Sequence, residues 1–374
     1  MHIAIWGTGN VGKYVFGQIK NNKKYEVRYF VDKNEMLWGK EIEGIEVISP
    51  ERLQKIFNSN IDFLLVAFSN AIFIYEELIG MKLDKFGIVR NRVFEARLEL
   101  DQDLFQDKNI FWSEAPYLNK PMLKSLETNV VDYCNLNCKG CSHFSNLFQH
   151  GEKVPYDIFC EDIKQIAEHV YIYQLNLLGG EVLLEERICD YIEYARKMLP
   201  DSEIQLVSNG LLIPKQLDDF FECCRENNIL ISISGYKPTL LLKEKIVEIL
   251  KQKQVVFAFR DEVAEFGKNI DLTGTADRFE AVKRCRESKC HFLRYGKIYK
   301  CPFEALGNKY FEHYGLDIRV CGGYGIYEEN LDWKRLIENL FNYSVEACKY
   351  CGEEQKIQWG VSNKPNLEDW AVRN

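Results

Sequence analysis

The sequence predicts an α/β protein made of an amino-terminal parallel sheet, a partial (β/α) barrel and a small cysteine-rich carboxyl-terminal domain. Three observations carry that expectation. Apolar strand-like runs alternate with helical patterns around a glycine turn in residues 1–95. After a polar, aromatic stretch with Pro116 and Pro121, the same βα rhythm resumes and continues to about residue 282. Nine of the 13 cysteines fall into two groups, Cys134–Cys141 and Cys285–Cys351. The expected layout is a first domain at 1–95, a linker at 96–125, the barrel at 126–282 and the cysteine-rich end at 283–374.

Composition bounds the partners. A chain of 374 residues has room for two or three cores. Its formal charge of −8, with acids and bases interspersed, argues against a nucleic-acid binder or an anionic-membrane binder. The start, MHIAIWGTGNVG, reads as a strand entering a turn, not as a signal segment. The most apolar stretch, residues 61–75, is too short to span a bilayer and is broken by Ser69 and Asn70. The expected location is cytoplasmic, where thiols stay reduced, so clustered cysteines read as metal ligands or catalytic groups. Cys160, Cys189, Cys223 and Cys224 sit in helical patterns and read as small apolar packing.

In the first domain a strand at 2–6 runs directly into Gly7-Thr8-Gly9-Asn10-Val11-Gly12, and a helix follows at 14–20. A second strand at 25–31 ends on Asp32, with further strands expected at 46–49 and 63–68. A G-x-G-x-x-G turn between strand and helix is Rossmann-like: Gly7, Gly9 and Gly12 let backbone amides face a phosphate, and Asp32 stands where a ribose hydroxyl could be gripped. The competing reading is that the glycines only permit a tight turn and close packing, since the segment is short for a full dinucleotide fold. The run Phe30-Val31-Asp32, Gly39, Ile42, Gly44 and Val47-Ile48-Ser49-Pro50 resembles the small nucleotide-binding domains of sugar-modifying acyltransferases. A nucleotide or nucleotide sugar is the ligand this would imply; NAD, a sugar nucleotide or no ligand all stay open.

In the second region, strands are expected at 129–133, 173–178, 203–207, 229–233 and 255–259, separated by helices at 157–169, 185–199, 214–226 and 240–251. Repeated βα units place function at the carboxyl ends of the strands. At the end of the first strand stands Cys134-x3-Cys138-x2-Cys141. A structural zinc site draws four ligands from paired C-x2-C units, whereas three thiolates suit a 4Fe–4S cluster with one iron left open.

This C-x3-C-x2-C loop resembles that of the radical S-adenosylmethionine (SAM) superfamily. Two further motifs fall where that resemblance expects them. Gly179-Gly180-Glu181 after the second strand is similar to the family's "GGEP" turn, which contacts the amino group of SAM; the glycines allow close approach and Glu181 suits an ammonium partner. Ser208-Asn209-Gly210 after the third strand is similar to its "TNG", and Ser234 is a weaker match after the fourth. The sequence departs at Gly140, where the family usually has an aromatic residue, and at Val182, where it has proline. Tyr133 or Phe144 could supply the aromatic surface, although either could be core. The resemblance implies reductive cleavage of SAM to methionine and a 5′-deoxyadenosyl radical, which abstracts hydrogen from a substrate in the barrel mouth.

The run CHFLRYGKIYKCP predicts a hairpin with Gly296 at its turn and Cys290 and Cys301 at its ends. It resembles the SPASM or twitch extension of the same superfamily, with Cys348-x2-Cys351 closing the site. The resemblance implies one auxiliary 4Fe–4S cluster held by Cys290, Cys301, Cys348 and Cys351. Cys285-x10-Gly296-x4-Cys301 fits the same spacing, so Cys285 competes with Cys290, and Cys321 lies in a glycine-rich turn. Zinc is the alternative occupant. The leading expectation is a radical SAM enzyme acting on a small molecule, a nucleotide-linked sugar or cell-surface carbohydrate precursor, with a flavodoxin or ferredoxin as one-electron reductant. Peptide modification is the alternative within the class, and a non-catalytic zinc- and nucleotide-binding regulatory protein the alternative outside it. No catalytic acid or base is identified; His143 is a candidate only by position.

Overall fold

The structure, a computed structural model, describes residues 1–21, 23–67, 74–83, 85–88, 90–91, 110–111 and 120–372. It divides into two compact units, Met1–Asn119 and Lys120–Asn374. Most of the expected linker at 96–125, and Phe68 at the end of one expected strand, lie outside the described residues.

The first unit contains β1 (His2–Trp6), α1 (Asn10–Ile19), β2 (Glu26–Val31), β3 (Glu41–Ile42), β4 (Ile45–Ile48), α2 (Pro50–Ile56), β5 (Phe63–Val66), α3 (Tyr75–Gly80) and β6 (Phe86–Ile88). Its sheet runs β3-β4-β2-β1-β5-β6. All neighbours are parallel except the short β3–β4 hairpin. The strands at its centre are apolar on both faces: Ile3, Ala4, Ile5, Leu64, Leu65 and Val66 are all fully buried, as a sheet covered on both sides requires. Ser49 caps α2 by accepting from Arg52 N at 3.1 Å, and Pro50 fills the first helical turn, which explains the Ser-Pro step as a helix start. A short antiparallel pair, β7 (Arg90–Asn91) and β8 (Ile110–Phe111), belongs to the same unit.

The second unit opens with β9 (Met122–Val131) and continues α4 (Tyr156–His169), β10 (Tyr171–Gly179), α5 (Ile188–Met198), β11 (Glu203–Ser208), α6 (Asp218–Glu226), β12 (Ile229–Gly235), α7 (Lys237–Leu240), α8 (Lys243–Gln252) and β13 (Phe257–Glu262). These five strands are parallel and adjacent in chain order. This is the partial (β/α) barrel. β9 begins inside the stretch expected as linker. Its polar Lys124 and Ser125 disguise it locally, but pairing to β10 from Met122 to Val131 holds it extended. The expected helix at 240–251 is two helices, broken at Leu241–Leu242.

The remainder is β14 (Glu265–Ile270), α9 (Arg278–Arg284), β15 (His291–Arg294), β16 (Lys297–Tyr299), α10 (Pro302–His313), β17 (Tyr324–Gly325), α11 (Trp333–Asn342) and β18 (Cys351–Gln358). The predicted hairpin is present as β15–β16, turning through Tyr295 (φ 47°) and Gly296 (φ 69°), the double left-handed turn that matches strand twist. It is not part of a separate domain as expected. β15 pairs in parallel with β9, so the sheet runs β13-β12-β11-β10-β9-β15-β16-β17. β14 and β18 form an antiparallel ribbon. Among the described residues no helix is long and apolar enough to cross a membrane.

Candidate functional site

The cysteine loop leaves β9 through an anchored step. Asp132 is 1% exposed and accepts both arms of Arg294 from β15, at 2.9 and 2.8 Å. It also accepts from Asn129 Nδ2 at 2.9 Å. The loop then turns through left-handed Asn137 (φ 54°) and Gly140 (φ 66°). Cys134, Cys138 and Cys141 all line one cavity. Leu136 N points at Cys134 Sγ at 3.4 Å, and Trp359 Nε1 donates to Cys138 Sγ at 3.3 Å. Residues near the carboxyl terminus strap the loop: Lys139 N donates to Gly360 O at 2.8 Å, Ser362 N to Asn137 O at 2.9 Å, and Trp370 Nε1 to Cys141 O at 2.8 Å. That strap explains Gly140. A Cβ there would lie 2.8 Å from Ile357 Cδ1 and 2.9 Å from Asp369 O, so no aromatic residue fits.

The other walls of the cavity are strand ends: Leu178, Gly179 and Gly180 after β10, Val207, Ser208 and Asn209 after β11, and Ser234 and Tyr236 after β12. A Cβ on Gly179 would fall 1.9 Å from Val131 O, and one on Gly180 1.9 Å from Tyr133 O. The glycines thus let the end of β10 lie directly on the cysteine loop. Asn209 Nδ2 reaches Asn135 Oδ1 at 2.8 Å and Cys134 Sγ at 3.8 Å. Glu181 differs from expectation. It is fully buried and its carboxylate accepts from Ser208 Oγ at 2.6 Å, Asn209 N at 2.7 Å and Leu183 N at 3.1 Å. It braces one loop against the next instead of facing the cavity. Tyr133 and Phe144 do not line the cavity either. Tyr133 packs on His150 and Phe144 on Tyr310 and Trp370, while Tyr236, stacked on Trp359, and Phe266 form the aromatic wall.

The residues fit a bound group. Ser145 Oγ and Asn146 Oδ1 are buried without a hydrogen-bond partner, and both residues border this cavity; buried polar atoms of this kind call for a complement. Burial pushes the Cys134 and Cys138 thiols up to about 12, so thiolates here need a positive partner. Among the described residues no three His, Cys, Asp or Glu could hold a single metal ion. Three thiols lining one cavity are the donor set of a 4Fe–4S cluster that leaves one iron open.

The second group meets in a second cavity, lined by Cys285, Cys301, Cys348 and Cys351 together with buried Lys300 and half-buried Ser288 and Phe303. Cys285, not Cys290, completes the set. Cys285 follows α9 directly, whereas Cys290 enters β15, whose parallel partner is β9. Burial raises all four thiols of the set, each further raised by a neighbouring cysteine or glutamate. Cys321 is exposed and lies outside this cavity. Of the packing cysteines, Cys223 and Cys224 are buried, Cys160 and Cys189 half-buried.

In the first unit Gly7 (φ 123°) makes the turn after β1, and Gly9 precedes α1 without a side-chain cap. A Cβ on Gly12 would meet Gly7 O at 1.9 Å, so that glycine serves the contact of helix with turn. Asp32 accepts from Thr8 Oγ1 at 2.5 Å and from Asn34 N at 2.9 Å, so both its oxygens are engaged beside the turn.

The family model of the radical SAM superfamily matches residues 128–293. Residues 128–293, which hold most of the barrel, are similar to a radical SAM domain. A second family model, described as C2185-like, N-terminal, matches residues 1–94. Two curated relatives are GTP 3′,8-cyclases. That of Thermodesulfovibrio yellowstonii is 29% identical over 26% of this chain and 30% of its own length, and that of Aquifex aeolicus 25% identical over 42% and 56%. The chain therefore spans under two thirds of either relative. Among solved structures, BtrN in complex with AdoMet and 2-DOIA is 14% identical, with a TM-score of 0.39, over 68% of this chain and all of that one.

Several residues of the second unit were not singled out from sequence. Glu127 and Asn176 face each other across β9 and β10, visible in the sequence only as polar residues alternating with apolar ones. The Asp132–Arg294 pair and the two indole donors, Trp359 and Trp370, are brought to the cysteine loop by tertiary packing and left no local signal.

Proposed function

We propose that the protein is an enzyme that binds a 4Fe–4S cluster on Cys134, Cys138 and Cys141 and SAM beside it, and abstracts hydrogen from a small-molecule substrate. When bound, the cluster and SAM supply a 5′-deoxyadenosyl radical by one-electron cleavage of the sulfonium. The observation that supports this best is the single cavity shared by the three thiols, the glycine turn after β10 and the Asn209 loop. The chain's own contribution is orientation. The backbone of Gly179 and Gly180 offers close approach to the amino acid part of SAM, Asn209 and Ser234 offer polar contacts, and Tyr236 and Phe266 an aromatic wall that excludes water.

Cys285, Cys301, Cys348 and Cys351 would hold an auxiliary 4Fe–4S cluster, and a flavodoxin or ferredoxin would deliver electrons. We take the substrate to be a nucleotide-linked sugar or carbohydrate precursor. The G-x-G-x-x-G turn of the first unit favours a nucleotide-bearing ligand, and the curated relatives are named for a nucleotide, GTP. The test is anaerobic reconstitution with iron and sulfide, followed by reduction and measurement of 5′-deoxyadenosine. Formation by the wild type and its loss in Cys134→Ala is the expected result. A fully loaded, reduced protein that leaves SAM intact would sink the reading.

A further inference from the structure

The inner face of the barrel carries unusual residues for its position. Interior positions of (β/α) barrels are ordinarily filled by branched aliphatic side chains. The inward face is fixed by Leu178, Val207 and Ser234, which line the cysteine cavity. Strand alternation then puts Asn176, Gln205 and Ser232 on the same face, and pairing places Glu127 beside Asn176 and Asn176 beside Gln205. Ser125 pairs with Gln174 one step away. Polar residues therefore run from strand to strand next to the proposed SAM site.

Glu127 is the centre of this face. Its side chain is 12% exposed and lies 4.0 Å from His143 Nε2. Asn176 Nδ2 donates to its Oε1 at 3.4 Å. Arg260 turns its Nε to Ser232 Oγ at 3.0 Å, and its charge only partly offsets the effect of burial on Glu127. Burial and the nearby Glu287 raise its carboxyl to about 7. His143, beside Glu127, lines the first cysteine cavity. A carboxylate has about four acceptor sites, and among the described residues its neighbours include the Asn176 amide at 3.4 Å and the His143 imidazole at 4.0 Å.

We propose that this polar face is the substrate site, that it takes a small polyhydroxylated ring such as a sugar, and that Glu127 accepts a hydrogen bond from a ring hydroxyl. The proposal rests on the radical SAM reading above. Asn176, Gln205 and Ser232 supply further donors and acceptors on the same side, a complement to several hydroxyls and a poor one for apolar peptide side chains.

The test uses the reduced holoenzyme, with N-acetylglucosamine, UDP-N-acetylglucosamine and a synthetic alanine-rich peptide as probes. The readout is probe-stimulated 5′-deoxyadenosine formation, with deuterium transfer from a ring-deuterated sugar. Saturable stimulation by a sugar probe is expected, with KM roughly ten- to a hundredfold higher in Glu127→Gln, a smaller change in kcat and partial rescue by Glu127→Asp. Equilibrium binding of the same sugar should weaken in parallel, and iron content confirms that each variant is folded and loaded. Stimulation by the peptide alone, no stimulation by either sugar over an intact slow uncoupled cleavage, or an unchanged KM in Glu127→Gln overturns the proposal and leaves the reading standing. Absence of any SAM cleavage in the wild type overturns the reading and the proposal with it.

Discussion

Replacing Glu181 tests whether the glycine turn and the Asn209 loop are one unit. The side chain is fully buried and takes three hydrogen bonds, from Ser208 Oγ, Asn209 N and Leu183 N at 2.6, 2.7 and 3.1 Å. Bonds to a charged acceptor contribute about 1.5–3 kcal/mol each, and a buried donor left unpaired costs about 1–3 kcal/mol. Glu181→Ala strands two backbone amides, since only the Ser208 hydroxyl can rotate to another partner. Against this stands the cost of burying the carboxylate, which raises its pKa. The net expectation is about 3–5 kcal/mol of lost stability for Glu181→Ala. For Glu181→Gln, which keeps one oxygen acceptor in place, it is about 1–2 kcal/mol. Urea unfolding followed by tryptophan fluorescence under anaerobic conditions measures both. An alanine variant within about 1 kcal/mol of wild type, or a glutamine variant less stable than the alanine one, would refute the bracing role.

The competing ligands Cys285 and Cys290 separate by iron content: Cys285→Ala should fall from about eight to about four irons per chain while Cys290→Ala keeps about eight. Colorimetric iron analysis decides, and the opposite pattern restores Cys290. Trp359→Phe removes the indole donor to Cys138 Sγ at 3.3 Å, so the potential of the cluster in that loop should become more negative; an unchanged midpoint in an EPR-monitored titration counts against the contact. Arg294→Ala leaves Asp132 buried at 1% exposure without its cation and should cost about 3–5 kcal/mol in the same unfolding assay, with equal stability as the refuting result. The Glu127 carboxyl is raised from 4.5 to about 7, so the folded state holds its proton more tightly than the unfolded chain. Its contribution is complete below about pH 4.5 and lost as pH rises through 7. The stability of wild type relative to Glu127→Gln should therefore drop by up to about 3 kcal/mol between pH 4.5 and 8; a flat difference would show that the carboxyl is not perturbed.

Local pattern made much of this molecule legible. The strand–turn–helix at Gly7–Gly12, the order of the barrel strands and the hairpin at Gly296 all follow from short-range rules of period, turn and spacing. The three thiols of Cys134, Cys138 and Cys141 were readable for the same reason, because one loop carries them all. Tertiary effects were hidden. Spacing alone could not choose between Cys285 and Cys290, because the choice depends on which one β15 turns toward β9. Glu181 looked like a contact for a ligand because Gly179-Gly180-Glu181 resembles a turn that contacts the amino group of SAM, and only the packing of Ser208 and Asn209 around it shows otherwise. The start of β9 at Met122 was masked by Lys124 and Ser125, which read together as a linker although the strand sends them to opposite faces, Ser125 to the polar face that carries Glu127.

The strap over the cysteine loop also sets an order of events in the life of the chain. Trp359 bonds a cysteine 221 residues before it, and Trp370 a carbonyl 229 residues before it. On the ribosome the loop emerges long before its strap has been made. The cysteine cavity is therefore strapped only once Trp359 and Trp370 have been made, and a nascent chain that stops short of them carries the loop without its two indole donors.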